Sequence, residues 1–220
     1  MVKEGYWYGL PLVLISGGLL GLGMIGAGAL FLLAAALVLN FFRDPERTVP
    51  ADPSLILSPA DGKVVEIVEE QLGGRPVRRV SIFMSPFDVH VNRSPVAGTI
   101  ESVVYRAGSF HVASQARASI ENEQNTFIVQ GEAGRIAVKQ IAGLVARRIV
   151  FWKKPGDAVG RGERVGLIKF GSRVDVAFDP QIELRVALGD RVRAGSSVLG
   201  TVPPSAPPSE TAERPQSGSC

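Results

Sequence analysis

Hydrophobic residues fill the first forty positions almost without interruption. Residues 5–42 contain no charged side chain, whereas charged residues crowd both ends of this run. As one straight helix the run would measure about 57 Å, against about 30 Å for the hydrocarbon core of a bilayer. A secretory signal peptide has a much shorter apolar core, of roughly 7–15 residues. The pattern therefore predicts an N-terminal membrane anchor over residues 1–44.

The anchor has two possible arrangements. It is either a single span with spare ends or a short helical hairpin that enters and leaves on one side. Basic residues at both ends, Lys3 and Arg43 among them, favour the hairpin because positive charge prefers the cytoplasmic side. Aromatic residues at the two ends fit an interfacial belt: Tyr6, Trp7, Tyr8, Phe41 and Phe42. Glycines that would allow the chain to reverse stand at Gly17, Gly18, Gly21, Gly23, Gly26 and Gly28.

Beyond Pro45 the pattern changes to short runs rich in Val and Ile, punctuated by Gly, Pro and Asp. Such runs predict β-strands, and residues 45–202 are expected to form a mostly β domain. The segment Ser109–Ala118 is expected to be a short irregular or helical excursion. Residues 203–220 are rich in Pro, Ser and Glu and predict a disordered tail. The predicted strands are Lys63–Val68, Val77–Met84, Gly98–Tyr105, Thr126–Gln130 and Arg135–Ile141.

An internal repeat occupies the last third of the chain. The pattern Gly-Asp-x-Val-x-x-Gly-x-x-Val begins at Gly156 and again at Gly189. It predicts two equivalent tight turns with inward valines and a close backbone approach at the second glycine. The pattern resembles the hairpins of lipoyl and biotinyl carrier domains, which implies a β-sandwich or barrel-like domain. In such domains an exposed tip between the halves carries a modified lysine. Here that link is 169–173, and Lys169 lacks the usual acidic or Met neighbours.

Composition excludes several kinds of site. A single cysteine, Cys220, rules out an internal disulfide and a Cys-based zinc or redox centre. The two histidines make a His-rich metal cage untenable, and no metal is expected. A net charge of +3 is too small to indicate a nucleic-acid partner but suits an anionic membrane surface.

The dipeptide Gly171-Ser172 offers a specific chemistry. In a strained turn the serine hydroxyl can attack the preceding carbonyl, and glycine obstructs that attack little. The acyl shift from nitrogen to oxygen gives an ester, and loss of the Ser172 α-proton then expels the Gly171 carboxylate and leaves dehydroalanine. Hydration and loss of ammonia produce a pyruvoyl group. Most Gly-Ser turns are only turns, so the surrounding motifs decide whether this chemistry applies.

An ordered set of motifs between Phe41 and Val202 resembles the short, membrane-anchored class of phosphatidylserine decarboxylase proenzymes. The resemblance implies self-cleavage into a β chain, 1–171, and an α chain, 172–220, with a pyruvoyl cofactor made from Ser172. That group would form a Schiff base with phosphatidylserine, release CO2 and yield phosphatidylethanolamine for phospholipid biosynthesis. The implied location is the cell membrane, with the catalytic domain on the cytoplasmic side. The motifs are Phe41-Phe42-Arg43-Asp44-Pro45, Ser58-Pro59-Ala60-Asp61-Gly62, Met84-Ser85-Pro86-Phe87-Asp88-Val89-His90-Val91-Asn92-Arg93-Ser94-Pro95, Glu121-Asn122-Glu123 and Phe170-Gly171-Ser172.

The same resemblance implies an Asp–His–Ser arrangement for processing. Asp61 and Ser172 match it, and His90 matches the first of two histidines found in longer members. Arg93 stands where the second histidine would be. We therefore expect His90 to act as the base, oriented by Asp61 or Asp88, and to serve decarboxylation as a proton donor. Asp88 is expected to lie near His90 because the two alternate along a strand.

Two other readings stay open at this point. One is a decarboxylase of another seryl phospholipid, such as an ether lipid, with the same residues. The other is a noncatalytic, membrane-tethered adaptor in which the chain stays intact. Sequence leaves open whether copies of the chain associate and what His111 does.

Overall fold

The computed structural model describes residues 1–108, 122–143, 148–169 and 172–203. Its N-terminal part is a helical hairpin, with α1 at Lys3–Gly21 and α2 at Ile25–Phe41. Gly23 adopts a φ of +76° between them, a left-handed conformation that lets the chain reverse. Of the two predicted arrangements, the hairpin is therefore the one observed, and the single straight helix is not formed.

The two helices approach each other closely through small residues. A Cβ atom on Gly9 would lie 2.4 Å from Leu39, and the Ser16 hydroxyl donates a hydrogen bond of 2.8 Å to the Gly28 carbonyl. Small residues at a helix interface leave the large apolar side chains on the outer faces. Among the helices described here, none is both long and apolar enough to cross a membrane.

The rest of the described chain is β structure, which confirms the mostly β class and all five predicted strands. The largest sheet is antiparallel, has eight strands in the order β13-β2-β3-β11-β7-β6-β5-β9, and curls into a half-barrel. Two three-stranded sheets have the orders β1-β14-β12 and β4-β10-β8. The strands are β1 Leu55–Leu57, β2 Gly62–Leu72, β3 Arg75–Met84, β4 Val91–Arg93, β5 Gly98–Arg106, β6 Gln124–Gly131, β7 Gly134–Ala142, β8 Ile149–Phe151, β9 Ala158–Val159, β10 Arg164–Ile168, β11 Ser172–Phe178, β12 Glu183–Leu184, β13 Arg191–Val192 and β14 Val198–Thr201.

Two apolar clusters hold the molecule together. The larger fills the concave side of the main sheet and includes Ile82, Phe127 and Phe178. The smaller joins the base of the hairpin to β4 and β10, and its buried members are Val2, Phe41, Phe42, Val89, Val91 and Leu167. The expectation that Phe41 and Phe42 form an interfacial belt is therefore wrong, because both rings are buried against the β domain.

The Gly-Asp repeat forms two copies of one backbone unit, as predicted. Gly156 and Gly189 have φ values of +92° and +98°, and the aspartate after each accepts the N–H of the residue three positions earlier, at 2.9 and 2.8 Å. The later glycines of the two copies touch, since a Cβ on Gly195 would lie 3.5 Å from the Gly162 Cα. The repeat thus brings two equivalent turns back to back.

A second repeat, which the sequence analysis missed, accompanies the first. Residues 58–62 read Ser-Pro-Ala-Asp-Gly and residues 94–98 read Ser-Pro-Val-Ala-Gly. Gly62 and Gly98 each pair with the buried valine of one Gly-Asp turn, and a Cβ on either would lie 2.2 Å from a carbonyl oxygen of the next strand. The β domain is therefore built from two matching units that differ mainly in their side chains.

The segment 43–54 leaves the hairpin and lies across these two units. Asp44 pairs with Arg93 at 3.0 Å and with Arg164 at 2.5 Å, and Arg161 donates to two backbone carbonyls of the segment. We call 43–54 the strap.

Candidate active site

Ser172 lies at the start of β11, in the middle of the main sheet. It faces Met84 of β3 on one side and Ala142 of β7 on the other. All seven residues of β11 are buried, so the expected exposed tip at 169–173 is wrong for Ser172 and Arg173. The Ser172 hydroxyl donates only to the Met84 sulfur, at 3.4 Å. A thioether is a weak acceptor, so the hydroxyl is loosely held in a dry environment.

Ion pairs fix the residue after Ser172. The buried Arg173 guanidinium donates to Glu66 and Asp175, each at 2.6 Å, and to the Ser81 hydroxyl at 2.7 Å. Removing one partner of a buried ion pair leaves a charge uncompensated and is costly. Arg173 therefore holds the start of β11 against β2 and β3.

His90 is the buried imidazole of the site, with 2% of its surface exposed. Its Nδ1 lies 2.9 Å from the Asp88 carbonyl oxygen, and its Nε2 has no hydrogen-bond partner among the residues described. Because a carbonyl oxygen only accepts, Nδ1 carries the proton and Nε2 presents its lone pair. The Phe41 ring covers the imidazole at 4.3 Å between centroids. The His90 carbonyl also accepts the Ile168 N–H at 3.3 Å, four residues before Ser172.

Burial keeps this imidazole neutral. Removal from water lowers the pKa of His90 to about 4, and the nearby Arg43 charge lowers it further. The hydrogen bond to the Asp88 carbonyl and the Asp88 charge raise the pKa but do not compensate. At neutral pH, His90 is thus a group that can accept a proton at Nε2.

A neutral buried His90 predicts a loss of stability in acid. Between pH 6.5 and about 4 the unfolded imidazole binds a proton that the folded one does not, so the free energy of unfolding falls by about 3 kcal/mol. Urea unfolding of the wild-type chain and the His90→Gln variant, measured from pH 7 to pH 4, isolates this contribution. The stability of the variant should fall less over that range. Parallel curves for the two proteins would contradict a neutral His90.

Asp88 orients His90 through its backbone. Residues 85–88 form a turn, closed by the Asp88 N–H on the Ser85 carbonyl at 2.9 Å. The carboxylate points away from His90, accepting the Ser85 N–H at 2.8 Å and lying 3.3 Å from Arg191. The expectation that strand alternation brings the two side chains together is therefore wrong, because this stretch is not a strand.

Asp61 is held in place at both carboxylate oxygens. Oδ2 accepts from Arg47 of the strap at 2.7 Å, and Oδ1 accepts the Ala194 N–H at 2.8 Å. Within the described part of the chain, no hydrogen bond joins Asp61, His90 and Ser172 to one another. Sequence reasoning gave no signal for Arg47 as the partner of Asp61.

The internal repeat offers a comparison for Asp61. Ala97 occupies the equivalent position in the other unit, before a glycine with the same close approach to its neighbouring strand. The turn therefore forms without a carboxylate, and Asp61 is an addition to the fold. A mostly buried carboxylate that the backbone does not need is a candidate for chemistry.

A chain of buried amides ends beside Ser172. Asn125 donates to Gln140 at 2.9 Å, and Gln140 donates to Asn92 at 2.8 Å. Asn92 then approaches the Met84 sulfur at 3.9 Å, the same atom that accepts from Ser172. Such a satisfied network fixes side chains that sequence patterns do not single out. Met84 is the common neighbour of the amide chain and of Ser172.

Arg93 is an anchoring residue here. Its buried guanidinium pairs with Asp44 and donates to the Gly162 carbonyl at 3.0 Å. A guanidinium does not deprotonate in proteins, so Arg93 does not replace an imidazole base. Several predicted features lie outside the described residues: Gly171, His111, Glu121, Arg147, Cys220, the excursion Ser109–Ala118 and the tail after Pro203.

Comparisons with known proteins converge on one family. A family model described as phosphatidylserine decarboxylase matches residues 34–200. A protein named phosphatidylserine decarboxylase proenzyme from Solibacter usitatus (strain Ellin6076) is 51% identical over 203 residues, which cover 90% of this chain and 95% of that protein. One of the same name from Desulfotalea psychrophila (strain LSv54 / DSM 12343) is 46% identical over 178 residues, covering 79% and 83% of the two chains.

Proposed function

Because the chain belongs to the phosphatidylserine decarboxylase family, we propose that it is a self-cleaving proenzyme whose mature form converts phosphatidylserine to phosphatidylethanolamine and CO2. One observation carries the assignment of the site. Ser172 is wholly buried with only a thioether partner, and the unpartnered, neutral His90 follows from the strand that leads to it. A serine and an imidazole base in a dry pocket suit nucleophilic chemistry.

The proposed cleavage uses this pair. The Ser172 oxygen bonds to the Gly171 carbonyl carbon, the peptide bond between them breaks, and His90 takes the hydroxyl proton at Nε2. The amine so formed stays on residue 172 and the acyl group moves to its oxygen. Loss of the α-proton of residue 172 then releases Gly171 as a carboxylate, and water with loss of ammonia leaves the ketone. The weak Met84 contact lets the hydroxyl rotate toward its target at little cost.

The residues around Ser172 also fit a pyruvoyl group, since a ketone at this position needs no charged partner and the pocket is dry. When formed, that group supplies a carbonyl that accepts the electrons released as CO2 leaves. Phe41 and the apolar cluster around it exclude water from His90. The amide chain through Asn92 fixes the wall beside the reacting atoms. His90 Nε2 is placed to hold the proton that the product carbon must regain.

The test of this function is direct. The purified full chain, incubated with phosphatidylserine in detergent micelles, should yield two fragments by intact mass, ending at Gly171 and beginning at a blocked residue 172. Lipid mass spectrometry should show phosphatidylethanolamine. An intact, folded chain without product would overturn the proposal and favour the adaptor. Conversion of an ether-linked phosphatidylserine in a parallel sample measures how far the acyl linkage matters.

We also propose that the hairpin holds this domain at the cytoplasmic face of the cell membrane. Large apolar side chains face outward along both helices, including Trp7, Leu14 and Leu30. Lipid removes such surface from water, and a diacyl substrate does not leave the bilayer. Arg43 and Lys3 at the hairpin base suit the anionic surface. The boundaries 1–44, 45–202 and 203–220 remain predictions.

Trp7 reports on this arrangement, because 80% of its surface is exposed. In the Trp152→Phe variant, Trp7 is the remaining tryptophan. Its emission should shift to the blue on addition of anionic vesicles and be quenched by lipids brominated along the acyl chains. In the matched Trp7→Phe variant, Trp152 of the β domain should be quenched far less. Unchanged Trp7 emission in the presence of vesicles would argue against insertion of the hairpin.

A further inference from the structure

A cleft of about 620 Å³ opens beside the site and has no role in the account so far. Its lining includes Asp61, Asp88, Arg191 and Arg193. The volume lies in the range of small-molecule sites. Two arginines, Arg191 and Arg193, alternate along β13 and beyond it, so both side chains leave the strand on the same side.

Short contacts connect this cleft to Ser172. Met84 is the cross-strand neighbour of Ser172, and the next residue, Ser85, donates its N–H to the Asp88 carboxylate. The other oxygen of that carboxylate lies 3.3 Å from Arg191. A small ligand in the cleft can therefore extend from Arg191 toward Ser172.

The arginines are available to a ligand. The Arg191 side chain is 73% exposed and has only the long contact to Asp88, which an exposed pair makes weak. The Arg193 guanidinium makes no hydrogen bond or ion pair within the described ranges. Arg47 already neutralises Asp61, so the three guanidinium groups exceed the two carboxylates by one positive charge. A single anion is the ligand that balances this cleft.

The internal repeat shows that the fold does not require these arginines. At the positions equivalent to Arg191 and Arg193, the other Gly-Asp unit has Ala158 and Gly160. The unit that carries Asp61 also carries both arginines, and its counterpart is neutral at all three positions. Charge is thus concentrated in one of two matching clefts, which indicates that a ligand selects it.

Surroundings of the cleft indicate where its ligand comes from. Phe87, 72% exposed, lies in the turn next to Asp88, and its carbonyl accepts from Arg43 at the base of the hairpin. Leu188, just before the second Gly-Asp turn, is exposed as well. Exposed apolar side chains beside cations are suited to a lipid surface.

We propose that Arg191 and Arg193 bind the phosphodiester of the seryl lipid headgroup, so that its amine points toward residue 172. Guanidinium forks match phosphate oxygens in geometry and charge. The inference rests on the proposed function and assigns its phosphate site. Both arginines are positioning residues, and neither takes part in self-cleavage.

The test separates headgroup binding from attachment to the surface. Activity is measured in mixed micelles of fixed total lipid and detergent, with phosphatidylserine varied as a mole fraction. Arg191→Ala should raise the mole fraction giving half-maximal rate about tenfold and change kcat less than twofold. Arg191→Lys should recover part of the loss, and Arg193→Ala should act in the same direction. Arg185→Ala, an exposed arginine paired with Glu183 outside the cleft, is the matched control and should leave both constants unchanged.

Two further arms identify the source of the phosphate. Glycerophosphoethanolamine should inhibit the wild-type enzyme and inhibit the Arg191→Ala variant more weakly, while inorganic phosphate should inhibit both weakly. Binding to phosphatidylglycerol vesicles should be equal for the two proteins. Weaker vesicle binding with an unchanged half-saturating mole fraction would overturn the proposal and make the arginines a docking surface. Intact mass separates the two levels: a cleaved Arg191→Ala chain with unchanged kinetics refutes this site alone, whereas an uncleaved, inactive wild-type chain refutes the proposed function and this site together.

Discussion

The Ser172→Ala variant is expected to remain a single chain of 220 residues and to form no detectable phosphatidylethanolamine. Alanine lacks the oxygen that must bond to the Gly171 carbonyl, so neither the cleavage nor the ketone can form. The fold should persist, because the lost hydroxyl had only the Met84 sulfur as a partner. Intact mass and lipid analysis on the same preparation measure both losses.

A second Gly-Ser pair in the chain provides the control. Ser196 follows Gly195 in the turn after β13, and the Ser196→Ala variant should cleave at residue 172 like the wild type. Thermal unfolding of Ser172→Ala in detergent should match that of uncleaved wild-type chain trapped early in processing. If Ser172→Ala still produces fragments 1–171 and 172–220, the serine is not the nucleophile.

Asp61→Asn is expected to slow self-cleavage about 10²–10⁴-fold, the range for loss of an acid or base group. Asparagine keeps an oxygen for Arg47 and another contact near the Ala194 N–H, so the turn should survive. What it removes is the negative charge beside the reacting segment. The rate is read from the fraction of cleaved chain over time after synthesis in a cell-free system.

The strap partner gives the matching measurement. Arg47→Lys keeps the positive charge and should cleave faster than Arg47→Ala, which leaves Asp61 without its ion pair. Wild-type cleavage by Asp61→Asn would leave the carboxylate with a structural role only. Loss of folding in Asp61→Asn, seen as a lower melting temperature than that of Ser172→Ala, would point to the same conclusion.

Local sequence signals were sufficient for the framework of the fold. Alternating apolar residues identified β2, β3 and β5–β7, because one face of each strand packs on the core. Glycine and aspartate identified the repeated turns, since their geometry is local. The same local reasoning failed at residues 85–88, where a turn interrupts the alternation that was expected to pair Asp88 with His90.

The candidate site could be predicted only in part, since its contacts join distant segments. Asp61, His90 and Ser172 were identified by resemblance, and their roles stay predictions. The pairing of Arg47 with Asp61, the ring of Phe41 over His90 and the amide chain through Gln140 connect residues 14 to 49 positions apart. No pattern within a strand or turn encodes such contacts. The matching unit around Ala97 became informative only once both copies were seen on one backbone.

The place of β11 has a consequence for the mature protein. This strand lies between β3 and β7, and Arg173 ties its first turn of sequence to Glu66 and Asp175. A cut just before it would turn one polypeptide into an obligate heterodimer in which each piece lacks part of the other's core. The precursor could then refold after denaturation in a concentration-independent way, whereas recovery of the mature form would be bimolecular. Maturation would exchange reversible folding for persistence that depends on the barrier to unfolding.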